Sequence, residues 1–277
     1  MMFVVVAALC SVLVSVLLKL AKRADIAIDQ AVAWNYVTTT ALTLFTLQPS
    51  ANVLQHAGVL WLVFAALGVL LPTIFLALAA SVRHAGIVRS DAAQRLSLLI
   101  PLLAAFTLFG ETPAPLKLVG CALGLLALLA MVWRTSPQAQ PQWRWPLLVF
   151  FGFGVIDVLF KRIAAAGIPL GSSLAAVFSL ALLVAFLIVW KKRNPLTLRS
   201  ALAGLLLGLF NFSNILFYLK AHRALPEHPA LVFASMNLGV VTLGTAVGVL
   251  AFRERLSRIN ALGVLLALLA IFLLTRA

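Results

Sequence analysis

Polar residues do not alternate with apolar ones along this chain; they interrupt them. Apolar positions run on for about twenty residues at a time, the length an α-helix needs to cross the roughly 30 Å hydrocarbon core of a bilayer, and short polar breaks separate the runs. Ten runs meet this test, near 3–21, 28–47, 57–80, 86–109, 115–134, 145–165, 170–190, 198–219, 229–252 and 257–275. The pattern predicts an all-α integral membrane protein with ten transmembrane helices. Little chain is left between the runs. The longest break is Thr135–Gln142, Thr-Ser-Pro-Gln-Ala-Gln-Pro-Gln, a composition suited to a linker. Trp61, Trp133, Trp143, Trp145 and Trp190 fall near run ends, where an indole meets both hydrocarbon and water.

The second half of the chain repeats the first. Glu111 is followed nine residues later by Gly120, and Glu254 nine residues later by Gly263. Ser15-Val16-Leu17-Leu18-Lys19 reappears as Asp157-Val158-Leu159-Phe160-Lys161, at an offset of 142 in the front of each half and 143 at the back. Two five-helix repeats follow, residues 1–136 and 137–277. Five is odd, so the second repeat starts from the opposite side of the membrane and the two are expected to be inverted. In secondary transporters that construction places the substrate site between the halves.

Composition supports the membrane reading. Hydrophobic residues make up 64% of the 277 and charged residues 10%, against about 45–50% and about 25% in soluble domains; mean hydropathy is +1.12. The formal net charge of +14 invites a nucleic-acid reading. The basic residues, however, lie in short clusters between apolar runs and form no continuous basic domain, so topology explains the excess better. The odd-numbered connections carry 14 of the Lys and Arg residues and the remaining connections and the C-terminus carry 6, with Arg95 apart inside the fourth run. The positive-inside bias then puts the odd connections in the cytoplasm and both termini outside it, in the inner (plasma) membrane. The first run has no basic residue before it and a Lys/Arg cluster after it, the reverse of a signal peptide, and is read as a retained helix. Cys10 and Cys121 lie inside apolar runs as small core residues, with neither a metal-binding spacing nor a disulfide framework.

A charge kept at the centre of a bilayer costs at least about 2.5–3.5 kcal/mol and needs a reason. Of seven acidic residues, Asp25, Asp29, Glu111, Glu227 and Glu254 map to helix ends or loops; Asp91 and Asp157 do not. Asp157 falls about 18 Å into the sixth run, near the midplane, with Lys161 at i+4 on the same face. Two readings fit this pair: a structural pair that neutralises itself, or a proton- or substrate-responsive carboxylate facing a cavity. The repeat sets Ser15 opposite Asp157, a polar position in both halves. Asp91 and Arg95 form a second acid–base pair at i, i+4, with Arg89 nearer the interface. Arg95 is either locked in a salt bridge or free to hold a carboxylate or phosphate on a cargo with its guanidinium fork.

Asn35, Tyr36, Asn211, Asn214 and Asn237 are polar groups in apolar runs, and each must hydrogen-bond something, whether a neighbouring helix or a cargo. Asn237 corresponds to Gln94 at the 143-residue offset, which makes that pair the stronger candidate for a shared site; Asn211 and Asn214 are three apart on one face and are placed to act together. Pro72 and Pro101 interrupt the third and fourth runs and suit gating kinks. Gly120-x-x-x-Gly124, Gly204-x-x-x-Gly208 and Gly244-x-x-x-Gly248 permit close helix approach, more often packing than mechanism. His56, His84, His222 and His228 fall near run ends, and none joins an acid and a nucleophile by spacing, so no enzyme is expected.

The run Gly86–Leu103, followed by Leu108-Phe109-Gly110-Glu111 and Lys117-x-x-Gly120, resembles the last two helices of an EamA-type repeat of the drug/metabolite transporter superfamily. Ala251–Leu256 with Asn260-x-x-Gly263 resembles the second copy, and Gln30-Ala31-x-Ala33-x-Asn35-Tyr36 resembles the opening of bacterial members. The resemblance implies a ten-helix inverted-repeat transporter of small metabolites, often an exporter, and gives weight to Arg95, a basic residue just before Ser97-x-x-x-Pro101. The better-known members are drawn with both termini in the cytoplasm, which the charge count here reverses. The expected function is therefore a secondary transporter of a small polar metabolite, working by alternating access. Its partners are the metabolite, protons as the coupling ion and the lipid bilayer. It is read as a monomer without cofactor, metal or nucleic acid. A lipid-carrier flippase or a receptor-like module on the same fold is the alternative.

Overall fold

The computed structural model describes residues 2–21, 23–50, 58–97, 99–100, 103–104, 115–132, 143–193, 195–224, 229–254 and 256–276. Ten helices run through them: α1 Met2–Ala21, α2 Ile28–Leu47, α3 Leu60–Ala85, α4 Ile87–Leu96, α5 Pro115–Val132, α6 Arg144–Ala165, α7 Leu170–Lys192, α8 Leu198–Ala224, α9 Pro229–Leu250 and α10 Arg258–Arg276. Among the described residues there is no strand. In hydrocarbon every backbone polar group must be satisfied within the protein, and a helix does this inside a single segment. Among the described residues, four stretches are long and apolar enough to cross a membrane: Met2–Ala21, Leu60–Ala85, Leu170–Lys192 and Leu198–Ala221. The outer faces are apolar as well, with Phe45 80%, Trp190 77% and Leu183 62% exposed. A surface of that kind is stable against lipid and not against water, and the chain is a helical membrane protein.

Eight helices close into a ring. In order of contact it runs α1, α8, α2, α7, α3, α6, α4, α9 and back to α1. Helices α5 and α10 pack tightly on each other outside it, joined to the ring through α9 and α4. Replacing each of the first five helices by the one five places later, and the reverse, returns this same set of neighbours. The α2–α8 contact is close because α8 presents Gly204 and Gly208. A Cβ on Gly204 would come within 2.5 Å of the Ala31 carbonyl oxygen, and one on Gly208 within 2.6 Å of that of Asn35. Polar clamps add to it: Gln30 Nε2 donates to the Pro195 carbonyl at 2.8 Å, and Thr197 N–H donates to Gln30 Oε1 at 3.0 Å. These glycines are packing devices.

The third and fourth helices depart from the expected bounds. α3 continues to Ala85 and α4 begins at Ile87, so one residue, Gly86, separates them. Gly86 turns the chain at φ +94°, a conformation that favours glycine. α4 is also short: it ends at Leu96, where Ser97 Oγ turns back on the Gln94 carbonyl at 2.6 Å. Pro72 does not interrupt α3; it is buried inside a continuous helix. Nearby, the Thr73 hydroxyl donates to the Val69 and Leu70 carbonyls, each at 2.9 Å. Pro101 lies outside the described residues.

Candidate functional site

Where α4, α6, α8 and α9 meet, a cavity of about 240 Å³ opens. Its wall carries Gln94, Arg95 and Ser97 from the end of α4, Phe153 and Asp157 from α6, Asn214 and Tyr218 from α8, and Met236 and Asn237 from α9. Five of the expected site residues are thus brought together: Gln94, Arg95, Asp157, Asn214 and Asn237. A cation and an anion from different helices face one space, and Arg95 is close enough to interact electrostatically with both Asp91 and Asp157. Phe153 and Met236 supply an apolar wall beside them. A chamber with several convergent polar groups inside an apolar protein is the ordinary form of a small-molecule site.

Arg95 is held from behind. Its Nη2 donates to Ser11 Oγ on α1 at 2.6 Å. One turn earlier on α4 and one turn later on α1, Ser15 Oγ donates to Asp91 Oδ1 at 2.6 Å. The two rungs tie α4 to α1 through side chains spaced at i, i+4 on each. Asp91 therefore takes Ser15 as its hydrogen-bond partner, not the Arg95 of its own helix, and the expected intrahelical pair gives way to an interhelical ladder. Asp91 is fully buried, its Oδ2 is against α9, where a Cβ on Gly244 would come within 2.5 Å, and it does not line the cavity.

The other end of α4 is fixed by a residue far along the chain. The Glu254 carboxylate accepts from Ile87 N–H at 2.7 Å and Val88 N–H at 3.3 Å, two donors that the first turn of a helix leaves unpaired. Lys19 Nζ lies 3.3 Å from Glu254 Oε1 and donates to the Val82 carbonyl at 3.1 Å. Arg89 Nη2 donates to Asn260 Oδ1 at 2.7 Å, so Arg89 belongs to this end of the bundle and not to the cavity. The short helix that carries Gln94 and Arg95 is thus clamped at its start by α1 and the α9–α10 connection.

The remaining candidates go elsewhere. Asn211 Nδ2 donates to Asn35 Oδ1 at 3.2 Å, so these two amides hold α8 to α2. Asn214 faces the cavity and donates to the Ala7 carbonyl at 2.8 Å, so Asn211 and Asn214 do not act together. Tyr36 is a core residue, packed edge-on to Phe75 and tilted against Phe178. The Lys161 side chain lies outside the described residues. His84 stacks on Trp145 with ring centroids 6.0 Å apart. Sequence reasoning did not single out Ser11, Phe153, Tyr218 or Met236. Two of these carried a signal: Ser11 is one turn before Ser15, and Tyr218 one turn after Asn214, each on the same helix face.

No protein-family model matches the chain. A solved crystal structure matches it at a TM-score of 0.58 over 98% of this chain and 97% of its own, with 19% sequence identity; the two share a fold. A protein of Haemophilus influenzae, described as uncharacterized, is 44% identical to it over 277 residues, an alignment covering 97% of this chain and 95% of that protein. With that much identity over that share of both chains, the chain belongs to the same family as this Haemophilus influenzae protein.

Proposed function

We propose that the protein is a secondary transporter of the EamA type, within the drug/metabolite transporter superfamily, that exports a small polar metabolite across the inner membrane. The cavity carries this reading: Arg95, Asp157 and three amides converge on one chamber inside an apolar bundle, and charges kept in a membrane interior mark substrate or ion pathways by default. At about 240 Å³ the chamber falls below the roughly 300–1,000 Å³ of drug-sized pockets, which favours a small metabolite over a lipid carrier.

Alternating access follows from the halves. The 142- and 143-residue offsets, and a ring of neighbours that maps onto itself when the first five helices exchange with the last five, both support two inverted repeats of five spans each. The chamber lies between α4 of residues 1–136 and α6, α8 and α9 of residues 137–277, so rocking one half on the other exposes it to each side in turn. Arg95 holds an anionic or strongly accepting group of the cargo. Asp157 takes a cargo cation or a coupling proton. The chain contains no nucleotide-binding motif, so the driving force is an ion gradient or the cargo gradient itself. Both termini face away from the cytoplasm.

Counterflow into liposomes carrying the purified protein, with a panel of radiolabelled polar metabolites and with or without a pH gradient, tests the proposal. Uptake of a panel member that is lost in Arg95→Ala and no longer responds to the pH gradient in Asp157→Asn supports it. Wild-type uptake in both variants places the site outside this cavity and refutes the assignment.

A further inference from the structure

A second concavity lies on the outside of the bundle, where α2 and α7 pack. It encloses about 910 Å³ and is lined by Val37 of α2 and, along α7, by Leu183, Phe186, Leu187 and Trp190, ending at Arg193. Leu183, Leu187 and Trp190 are exposed outward, so the groove opens toward hydrocarbon and not into the polar chamber. From Leu182 to Trp190 it follows about 12 Å of helix axis. An indole and a cation then stand where α7 ends. Arg193 takes a left-handed φ of 55° and its N–H donates to the Trp190 carbonyl at 3.1 Å, which turns the chain so that Leu196 returns to the groove wall.

The charge at this mouth is net positive. Lys192 is paired with Asp29 at 3.3 Å; among the described residues Lys191 and Arg193 make no ion pair. Lys191 and Lys192 at the end of α7, Arg193, and Arg199 in the first turn of α8 make this the most basic helix junction of the chain, which the positive-inside bias places at the cytoplasmic surface. An apolar trough of this length, closed by tryptophan at the interface depth and topped by unneutralised cations, has the profile of an anionic phospholipid: acyl chain below, headgroup phosphate above. We infer that the α2–α7 groove binds an anionic phospholipid of the cytoplasmic leaflet, with one acyl chain against Leu183, Phe186 and Leu187 and the headgroup at Arg193 and Lys191. The site is separate from the polar chamber and does not depend on the transport reading.

Native mass spectrometry of the purified full chain in mixed micelles, titrated in parallel with dioleoylphosphatidylglycerol and dioleoylphosphatidylethanolamine, tests this. The wild type is expected to retain the phosphatidylglycerol preferentially. Two cations, each contributing about fivefold near a membrane surface, set that preference at about 25-fold, and Lys191→Gln with Arg193→Gln abolishes it. Val37→Trp fills the trough and is expected to reduce retention of both lipids; should it fail to fold by thermal melting, Leu183→Ser on the lipid-facing wall makes the same test. Equal retention of the two lipids by the wild type overturns the inference. So does a preference unchanged in the double variant, or displacement of the lipid by water-soluble glycerophosphoglycerol as effectively as by the whole lipid, because the apolar trough would then contribute nothing.

Discussion

The clamp on α4 makes the sharpest quantitative test. Glu254 contributes two hydrogen bonds to backbone donors, at 2.7 and 3.3 Å, and one ion pair with Lys19 at 3.3 Å. A hydrogen bond to a charged group contributes about 1.5–3 kcal/mol; the shorter bond takes the middle of that range and the longer one its bottom or less. The ion pair is worth less, about 0–1 kcal/mol, because Lys19 is 23% exposed and its ammonium is partly solvated. Glu254→Ala should therefore destabilise the protein by about 2–4 kcal/mol, much of it the cost of leaving two helix-start N–H groups buried without an acceptor. Glu254→Gln keeps one acceptor oxygen but turns an amide N–H₂ toward a second donor, and should cost about 1–2 kcal/mol. Lys19→Met removes this ion pair and the bond to the Val82 carbonyl, both made by a partly solvated ammonium, and should cost about 1 kcal/mol. Equilibrium unfolding in mixed micelles, with increasing sodium dodecyl sulfate and helicity followed by circular dichroism, reads these differences. The order Ala, Gln, Met is the prediction. If Lys19→Met costs as much as Glu254→Ala, the ion pair and not the cap holds this end, and the reasoning fails. A Glu254→Ala cost below about 0.5 kcal/mol would refute the cap altogether.

Gly86→Ala should reproduce the Glu254→Ala loss in the same titration, because the new Cβ would come within 2.5 Å of the carboxylate and the backbone sits at φ +94°; a neutral outcome would mean the carboxylate is not seated there. Arg95→Ala is expected to abolish counterflow while melting like the wild type. Ser11→Ala, which removes only the 2.6 Å bond behind the guanidinium, should raise the cargo KM severalfold with less effect on maximal rate; equal KM values in Ser11→Ala and wild type would show that Ser11 does not position Arg95. Asp157→Asn should uncouple cargo movement from an imposed pH gradient, and unchanged gradient-driven uptake would remove Asp157 from the coupling role while leaving the chamber as the cargo site. A reporter fused after the C-terminus should be active as periplasmic alkaline phosphatase and dark as a cytoplasmic fluorescent protein, following the 14-to-6 basic bias; the opposite pattern would refute this orientation.

The helices were legible because a bilayer leaves a chain few alternatives: an apolar run of about twenty residues can satisfy its backbone only as a helix. The boundary between α3 and α4 was not legible, since it depends on Glu254, 168 residues after Gly86, arriving to cap the second helix. No local pattern around Gly86 reports that. Polarity inside an apolar run picked out the candidates, yet that signal cannot tell a cavity-facing amide from one that ties two helices together. Asn35 and Asn214 look alike in sequence; one bonds Asn211 across a packed interface while the other reaches the chamber. The repeat offset did separate them in one case. Gln94 and Asn237, polar at both copies of one position, both line the cavity, whereas the position of Asn35 in the second copy falls among apolar residues near Val177 and Phe178.

The offset also identifies what a repeated chain does not repeat. Arg95 corresponds at 143 residues to Leu238, and Asp157 corresponds at 142 residues to Ser15. Each charge in the chamber therefore belongs to one half only, and its counterpart has been given other work: Ser15 is turned away to hold Asp91 on α4. The amide pair Gln94 and Asn237 keeps the symmetry; the ionic pair breaks it. The proposed rocking of two like halves needs matched packing, which the ring of neighbours would supply, but recognition of an unsymmetrical molecule needs unlike groups in the chamber. An arrangement with Arg95 on α4 and Asp157 on α6 gives a bound cargo one preferred direction across the chamber. Moving the charge pair to the equivalent positions of the other half, Arg95→Leu with Leu238→Arg and Asp157→Ser with Ser15→Asp, would leave the composition unchanged and should not support transport, because Ser15 sits behind α4 against Asp91 and not on the cavity wall. On the proposed transport reading, the fold would supply the motion and the departures from its symmetry the site.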